Sequence, residues 1–195
     1  MNVLQLPIYL TRTPFTSPMA AIKPSAEQKV VAPKSAWSAL LRDATVEVFS
    51  TMVGTALVLP QVPDGSAIEL NPADSIVLAQ VTGMVGIAGA VRAILSLRCS
   101  ERSATKIAAQ MLGIPEEEAS QQKGDAIGEV CNMIAGHFKH IIGVSGECTL
   151  SVPTVVMGAR YAIHCLDVGE RLEFPAIFEG ETMAITLDIR GRRSE

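Results

Sequence analysis

Two stretches 82 residues apart carry the same polar residues at the same spacing, and no other feature of this 195-residue chain constrains its fold as much. Asp43, Glu47, Ser50 and Gly54 run D-x-x-x-E-x-x-S-x-x-x-G, and Asp125, Glu129, Asn132 and Gly136 run D-x-x-x-E-x-x-N-x-x-x-G. Steps of i, i+4, i+7 and i+11 return close to one angle at about 3.6 residues per turn, so each set is one stripe of an α-helix. Across the second helix, Ile127, Val130, Cys131, Ile134, Phe138, Ile141 and Ile142 recur at the spacing of a buried face. At roughly 100° per residue the four polar positions fall in an arc of about 60°, centred nearly opposite those apolar residues. The first helix has its own apolar stripe of Trp37, Leu41, Ala44, Val48 and Met52, with Asp43, Glu47 and Ser50 on the other side.

The segments between these helices complete two similar halves. Pro60, Pro63 and the Asp64-Gly65 turn close the first helical unit, and β-like runs follow at 75–85 and 90–98, joined by a turn around Gly86 to Gly89. Ser100 is placed to cap a shorter helix with a core stripe of Ala104, Ile107, Ala108, Met111 and Leu112, stopped by Gly113 and Pro115. The second long helix is expected over 117–142, and strands near 147–157, 171–178 and 182–190. This order predicts an α+β fold with a pseudo-twofold repeat. Both long helices would pack on one face of a continuous, mostly antiparallel sheet, with a shorter helix beside them. Residues 1–34 hold Pro7, Pro14, Pro18, Pro24 and Pro33 without a persistent period and read as a disordered tail. One domain spans 35–190, and 191–195 form a polar end.

Composition removes several classes of function. Formal net charge is −4, and lysine and arginine are nowhere clustered, so nucleic acid is not an expected partner. The longest uncharged run, between Asp74 and Arg92, is too short for a membrane span and is broken by Gly83, Gly86 and Gly89. Pro7 interrupts the first apolar run and no basic segment precedes it, so no secretory signal is expected. Cys99, Cys131, Cys148 and Cys165 form no C-x-x-C pair, which fits reduced thiols in a cytoplasm. Cys131 lies on the apolar stripe, where it serves as a small hydrophobe rather than a nucleophile. His137 and His140 lack a third metal ligand in register and are expected to face the C-terminus of their helix. His164 beside Cys165 reads as structural, and no metal site is expected.

An exposed Asp-Glu-Asn stripe is ordinarily a solvated face. Here its context changes the reading. At Asp125-Ala-Ile-Gly-Glu129-Val-Cys-Asn132-Met-Ile-Ala-Gly136 the chain resembles the CheC/CheX/FliY family of chemotaxis phosphatases, whose signature is an acidic or Ser residue, then Glu, then Asn at this spacing. Val85-Gly86-Ile-Ala-Gly89-Ala-Val-Arg-Ala-Ile-Leu-Ser resembles the family's glycine-marked strand pair. Ala108-Ala-Gln-Met-Leu-Gly113 is similar to the end of its intermediate helix, and Leu150-Ser-Val-Pro153-Thr to the strand after the active helix. The likeness runs over roughly 36–190. Because Ser50 stands where the first signature would have Asn, the chain resembles the CheX-like type with a single site.

The resemblance implies hydrolysis of the aspartyl phosphate of a phosphorylated CheY-like response regulator in chemotaxis or two-component signalling, in the cytoplasm. Asn132 would orient the attacking water, since a carboxamide offers a water both an acceptor and donors. Glu129, the second catalytic residue, would pair with a lysine of the regulator in a charge-assisted bond of about 1.5–3 kcal/mol if partly desolvated. Asp125 and Gly136 are expected to contact the partner, Gly136 by leaving room for its backbone or, equally, by permitting close helix packing. Asp43, Glu47 and Ser50 would be a degenerate second site, because the serine hydroxyl is a carboxamide shorter. No cofactor is expected on this chain; Mg²⁺ would come with the regulator. The likeness also implies a homodimer. The alternative is a non-catalytic module of the same fold that binds a regulator or joins a flagellar switch.

Overall fold

At Gly83 a helix and a sheet come so close that a side chain would not fit: a Cβ placed there would lie 2.6 Å from Cys131 Sγ and 2.8 Å from Ile127 Cγ2. That contact seats α4 (Lys123–Ile141) on β1 (Val81–Gly89). The computed structural model describes residues 31–60, 81–159, 161, 163–166 and 168–191. The expected tail through residue 30, the Asp64-Gly65 turn, the start of the 75–85 strand and the last four residues lie outside them.

The remaining elements are α1 (Trp37–Val48), β2 (Ala93–Cys99), α2 (Glu101–Leu112), α3 (Glu116–Ala119), β3 (Cys148–Leu150), β4 (Thr154–Met157), β5 (Val168–Phe178) and β6 (Glu181–Arg190). Six strands form one antiparallel sheet in the order β3-β1-β2-β6-β5, with β4 also paired to β1. The β1–β2 and β5–β6 hairpins meet at its centre, where Leu95 of β2 pairs with Leu187 of β6. After α4 the chain supplies β3 and β4 to the outer edge of β1. After α1 it supplies Val58, which exchanges backbone hydrogen bonds with Ile177 of β5 at 3.1 and 2.8 Å. Each helix thus sends its following segment to the other half's hairpin, and this exchange is the pseudo-twofold repeat.

Alternation of apolar residues along the central strands gives the sheet one dry face. Leu95, Leu97, Ile185 and Leu187 are fully buried there, beneath Ile127, Val130, Ile134 and Phe138 of α4 and Leu41 and Ala44 of α1. The two helices meet through the edge-on rings of Trp37 and Phe138, 5.8 Å apart. Over β5, α1 rests on aromatic rings: the Arg42 guanidinium lies 4.6 Å from the Phe174 ring, and Phe49 meets Phe178 edge to face. α2 begins as expected, Ser100 accepting the Ser103 amide at 3.0 Å, and ends on Gly113 at φ 65°.

Five expectations need correction. The turn between the first two strands falls at 90–92, not at Gly86 to Gly89, which lie inside β1. Those glycines mark close approach instead: a Cβ on Gly89 would sit 2.0 Å from the Glu147 carbonyl oxygen, and one on Gly86 3.3 Å from Ser151 Oγ. The 117–142 helix divides into α3 and α4. The 147–157 strand is interrupted between Leu150 and Thr154. Finally, α1 passes into a π-helical turn over Phe49–Val53, which widens the helix and moves Val53 into the core while Met52 is left 50% exposed. Leu112, also expected inside, is 52% exposed because the chain turns away at Gly113.

Candidate functional site

The apolar stripe of α4 fixes where its polar stripe must point. Ile127, Val130, Cys131, Ile134 and Phe138 are fully buried, so Asp125 and Glu129 emerge exposed and Asn132 and Gly136 half-buried on the opposite side. Among the described residues, the side chains of Asp125, Glu129 and Asn132 take part in no hydrogen bond or ion pair. Asn132 is half-buried as a residue while its amide is open to solvent, so its donors and acceptor are available without the cost of an unpartnered buried polar group.

Its setting comes from a ridge of α4 that the sequence reading did not isolate. Positions 124, 128, 132 and 136 follow one another at i+4, and three of them are glycine. The chain after α4 runs back along this ridge. A Cβ on Gly136 would meet Leu150 Cδ1 at 3.9 Å, one on Gly128 would meet Pro153 Cβ at 3.3 Å, and one on Gly124 would meet Met157 Cε at 3.5 Å. Asn132 is the one residue of the ridge with a side chain, and the strand is broken beside it, at Ser151 to Pro153. Of the two readings of Gly136, the open one fits better, since an added methyl group there would only touch Leu150 in ordinary van der Waals contact. Close packing instead belongs to Gly128.

The first stripe ends differently. Asp43, Glu47 and Ser50 are exposed, but Ser50 stands in the π-helical turn with its hydroxyl donating to the Glu47 carbonyl at 2.9 Å. Gly54 caps that turn at φ 77°, whereas Gly136 lies inside α4. The aligned glycines thus share a position in the repeat and not a role. Glu47 Oε2 reaches His137 Nε2 of α4 at 3.0 Å, so the first stripe touches α4 next to Gly136 across the helix pair. His137 accordingly faces Glu47 rather than its own helix end, and His140 lies 3.4 Å from Ser145 Oγ.

Nothing at the site calls for covalent chemistry. Burial pushes the Cys131 thiol up to about 12, and raises Cys99 further, so both are protonated packing groups. Among the described residues no group of three or more His, Cys, Asp or Glu could hold a metal, and no helix is long and apolar enough to cross a membrane. A cleft of about 590 Å³ opens between Lys34, Trp37, Arg92, Glu170 and Arg190, and no stripe residue lines it. The stripe is an exposed helix face and not the wall of an enclosed pocket.

An antiparallel sheet with paired helices on one face is the fold of CheX and CheC-like chemotaxis proteins. The sequence model described as "Chemotaxis phosphatase CheX" matches residues 81–177, and the chain belongs to this CheX/CheC-like family. Chemotaxis protein CheX from Vibrio vulnificus is 26% identical and superposes with a TM-score of 0.64 over 79% of this chain and 99% of that one. A CheC-like superfamily protein from Shewanella sp. PV-4 is 24% identical, with a TM-score of 0.63 over 80% and 97% of the two chains. The CheX of a CheX-CheY-BeF3-Mg²⁺ complex from Borrelia burgdorferi is 19% identical, with a TM-score of 0.58 over 80% and 98%. No curated protein sequence matches the chain.

Proposed function

We propose that this protein is a phosphatase for the aspartyl phosphate of a CheY-like response regulator, working through a single site on α4. One observation carries the reading: the unpaired, solvent-open amide of Asn132, one turn from the exposed Glu129 carboxylate on the same helix face. The phosphorylated regulator presents an acyl phosphate at the floor of its own site. Asn132 enters that site and holds a water in line with the phosphorus, its carbonyl oxygen accepting from the water and its NH₂ donating to it. The water oxygen forms the new bond to phosphorus, the bond to the aspartyl carboxylate oxygen breaks, and the carboxylate leaves with the electron pair. Inorganic phosphate and the unmodified regulator are the products. Little covalent chemistry is asked of the enzyme, which suits a site with no nucleophile of its own.

Glu129 fixes the register by pairing with a cationic side chain of the regulator, and Asp125 and Gly136 extend the contact to either side. Mg²⁺ enters with the regulator. The related CheX from Borrelia burgdorferi was crystallised with CheY, beryllofluoride and Mg²⁺, a combination that supports this division of labour. A homodimer acting in the cytoplasm belongs to the same reading, and sedimentation of the purified chain tests the assembly.

The decisive measurement follows phosphate release from a regulator phosphorylated with acetyl phosphate, with and without the protein. Acceleration that scales with protein concentration is expected. Unchanged decay at excess protein, with binding retained, would overturn turnover in favour of a regulator-binding module of the same fold.

A further inference from the structure

Resting on the proposed function, we infer that Val152 is a second, apolar docking point for the regulator, built into the strand break beside Asn132. The break is held in place on both sides. Opposite it on β1, Ser151 N donates to the Gly86 carbonyl at 2.9 Å, and Ser151 Oγ accepts the Gly86 amide at 2.8 Å. Before the break Leu150 packs toward Gly136, and after it Pro153 packs on Gly128. Asn132 occupies the ridge position between those two glycines, so Ser151 and Val152 pass beside it. Ser151 is turned in toward β1, whereas the next side chain, Val152, stands out in solvent.

Val152 is 84% exposed, more than any other large hydrophobic residue among those described. A lone exposed valine is ordinary on a surface. This one stands on an anchored bend next to an unpaired amide, where the partner's surface must arrive for Asn132 to reach its phosphate. A contact at Asn132 therefore covers Val152 as well. The partner it fits is the phosphorylated regulator itself, through an apolar patch beside the phosphate that Asn132 must reach. Ser151, through Gly86, is the positioning residue that keeps the bend fixed relative to α4.

Val152→Asp removes the apolar contact without touching the core, and circular dichroism and a thermal melt check that the fold is kept. Dephosphorylation kinetics should show KM for the phosphorylated regulator raised about tenfold or more, the order expected for losing one buried aliphatic side chain. Meanwhile kcat stays within about twofold, because Asn132 is unchanged. Binding to beryllofluoride-activated regulator should weaken by the same factor, and Val152→Ile should restore wild-type KM. Wild-type KM and affinity in Val152→Asp, with wild-type protein active, would sink this inference and leave the proposed function standing. If the wild-type protein neither accelerates decay nor binds activated regulator, both readings fall together.

Discussion

The α1 and α4 stripes carry matching polar residues except at Ser50 and Asn132, and their surroundings differ where chemistry depends on them. α4 is regular across its stripe, with Asn132 raised between two glycines and its amide free. α1 loses its α-helical hydrogen bonding at Phe49, the residue before Ser50, and the serine hydroxyl is spent on the Glu47 carbonyl. After α4 a broken strand runs beside the stripe; after α1 the described chain offers a single bridge at Val58. Placement of a reactive side chain thus depends on the backbone one turn away, and a stripe that keeps its carboxylates can still lose its geometry.

The strongest test exchanges nothing but the terminal group of each stripe. Asn132→Ala should lower kcat about a hundredfold, the scale of losing an oriented reactant, while affinity for beryllofluoride-activated regulator persists. Ser50→Ala should leave turnover within twofold of about wild-type level, since its hydroxyl serves only its own helix. The reverse outcome, a crippled Ser50→Ala beside a silent Asn132→Ala, places the site in the wrong half.

A smaller contrast separates the two glutamates. Glu129→Lys replaces attraction by repulsion at the proposed contact and should raise KM about tenfold or more. Glu47→Lys breaks the exposed pair with His137, worth at most about 1 kcal/mol, and should shift only the melting temperature. Equal effects on KM from both would show that the first stripe also meets the regulator.

Much of this was readable in the sequence, and what was not has identifiable physical causes. The buried face of α4 was legible because its apolar residues hold one period for a little over four turns, and all of them are buried or packed on the core. Ser100 and Gly113 announced the ends of α2 through local chemistry that needs no tertiary contact. Gly86 and Gly89 misled, because a glycine that admits a neighbouring backbone and one that makes a turn look alike in sequence. The π-helical turn was hidden for a different reason: widening a helix by one residue changes which side chains face inward, and Val53 against Met52 is decided by packing on the sheet. At the site, residue spacing placed Asn132 and Glu129 on one face. The glycine ridge and the strand break beside Asn132 became visible only once residues far apart in the chain were brought together.

The aligned glycines turn the same comparison into opposite signs of stability. Gly54 caps a helix at φ 77°, so Gly54→Ala forces a side chain into the left-handed region and should cost about 1 kcal/mol. Gly136 sits in helical backbone with space around it, so Gly136→Ala should stabilise the fold by about 0.5–1 kcal/mol. Urea midpoints read both. Destabilisation by Gly136→Ala would mean that α4 needs the glycine for packing, and the open-space reading would fail.

The smallest effect concerns how the halves are tied together at their other contact. The β5–β6 turn, with Glu179 at φ 47° and Gly180 at φ 83°, projects two carboxylates onto α2. Glu179 is held below the usual carboxylate range first by Lys106 and then by Gln110; Glu181 is held down first by Ser100, then by Ser103 and the charge of Arg102. Both groups favour the charged form more in the folded chain than in the unfolded one. Their stabilisation is therefore complete above the ordinary glutamate range near about 4.3 and disappears as pH falls through the lowered folded values. The α1–α4 link through Glu47 and His137 is a single exposed pair by comparison. Glu179→Gln with Glu181→Gln should lower the melting temperature at about pH 7 and approach the wild-type value only as pH falls through the lowered folded values, where the native carboxyls become protonated too. If the gap between the variant and wild type were constant over that range, the link would owe nothing to charge, and the two contacts between the halves would differ only in the number of their hydrogen bonds.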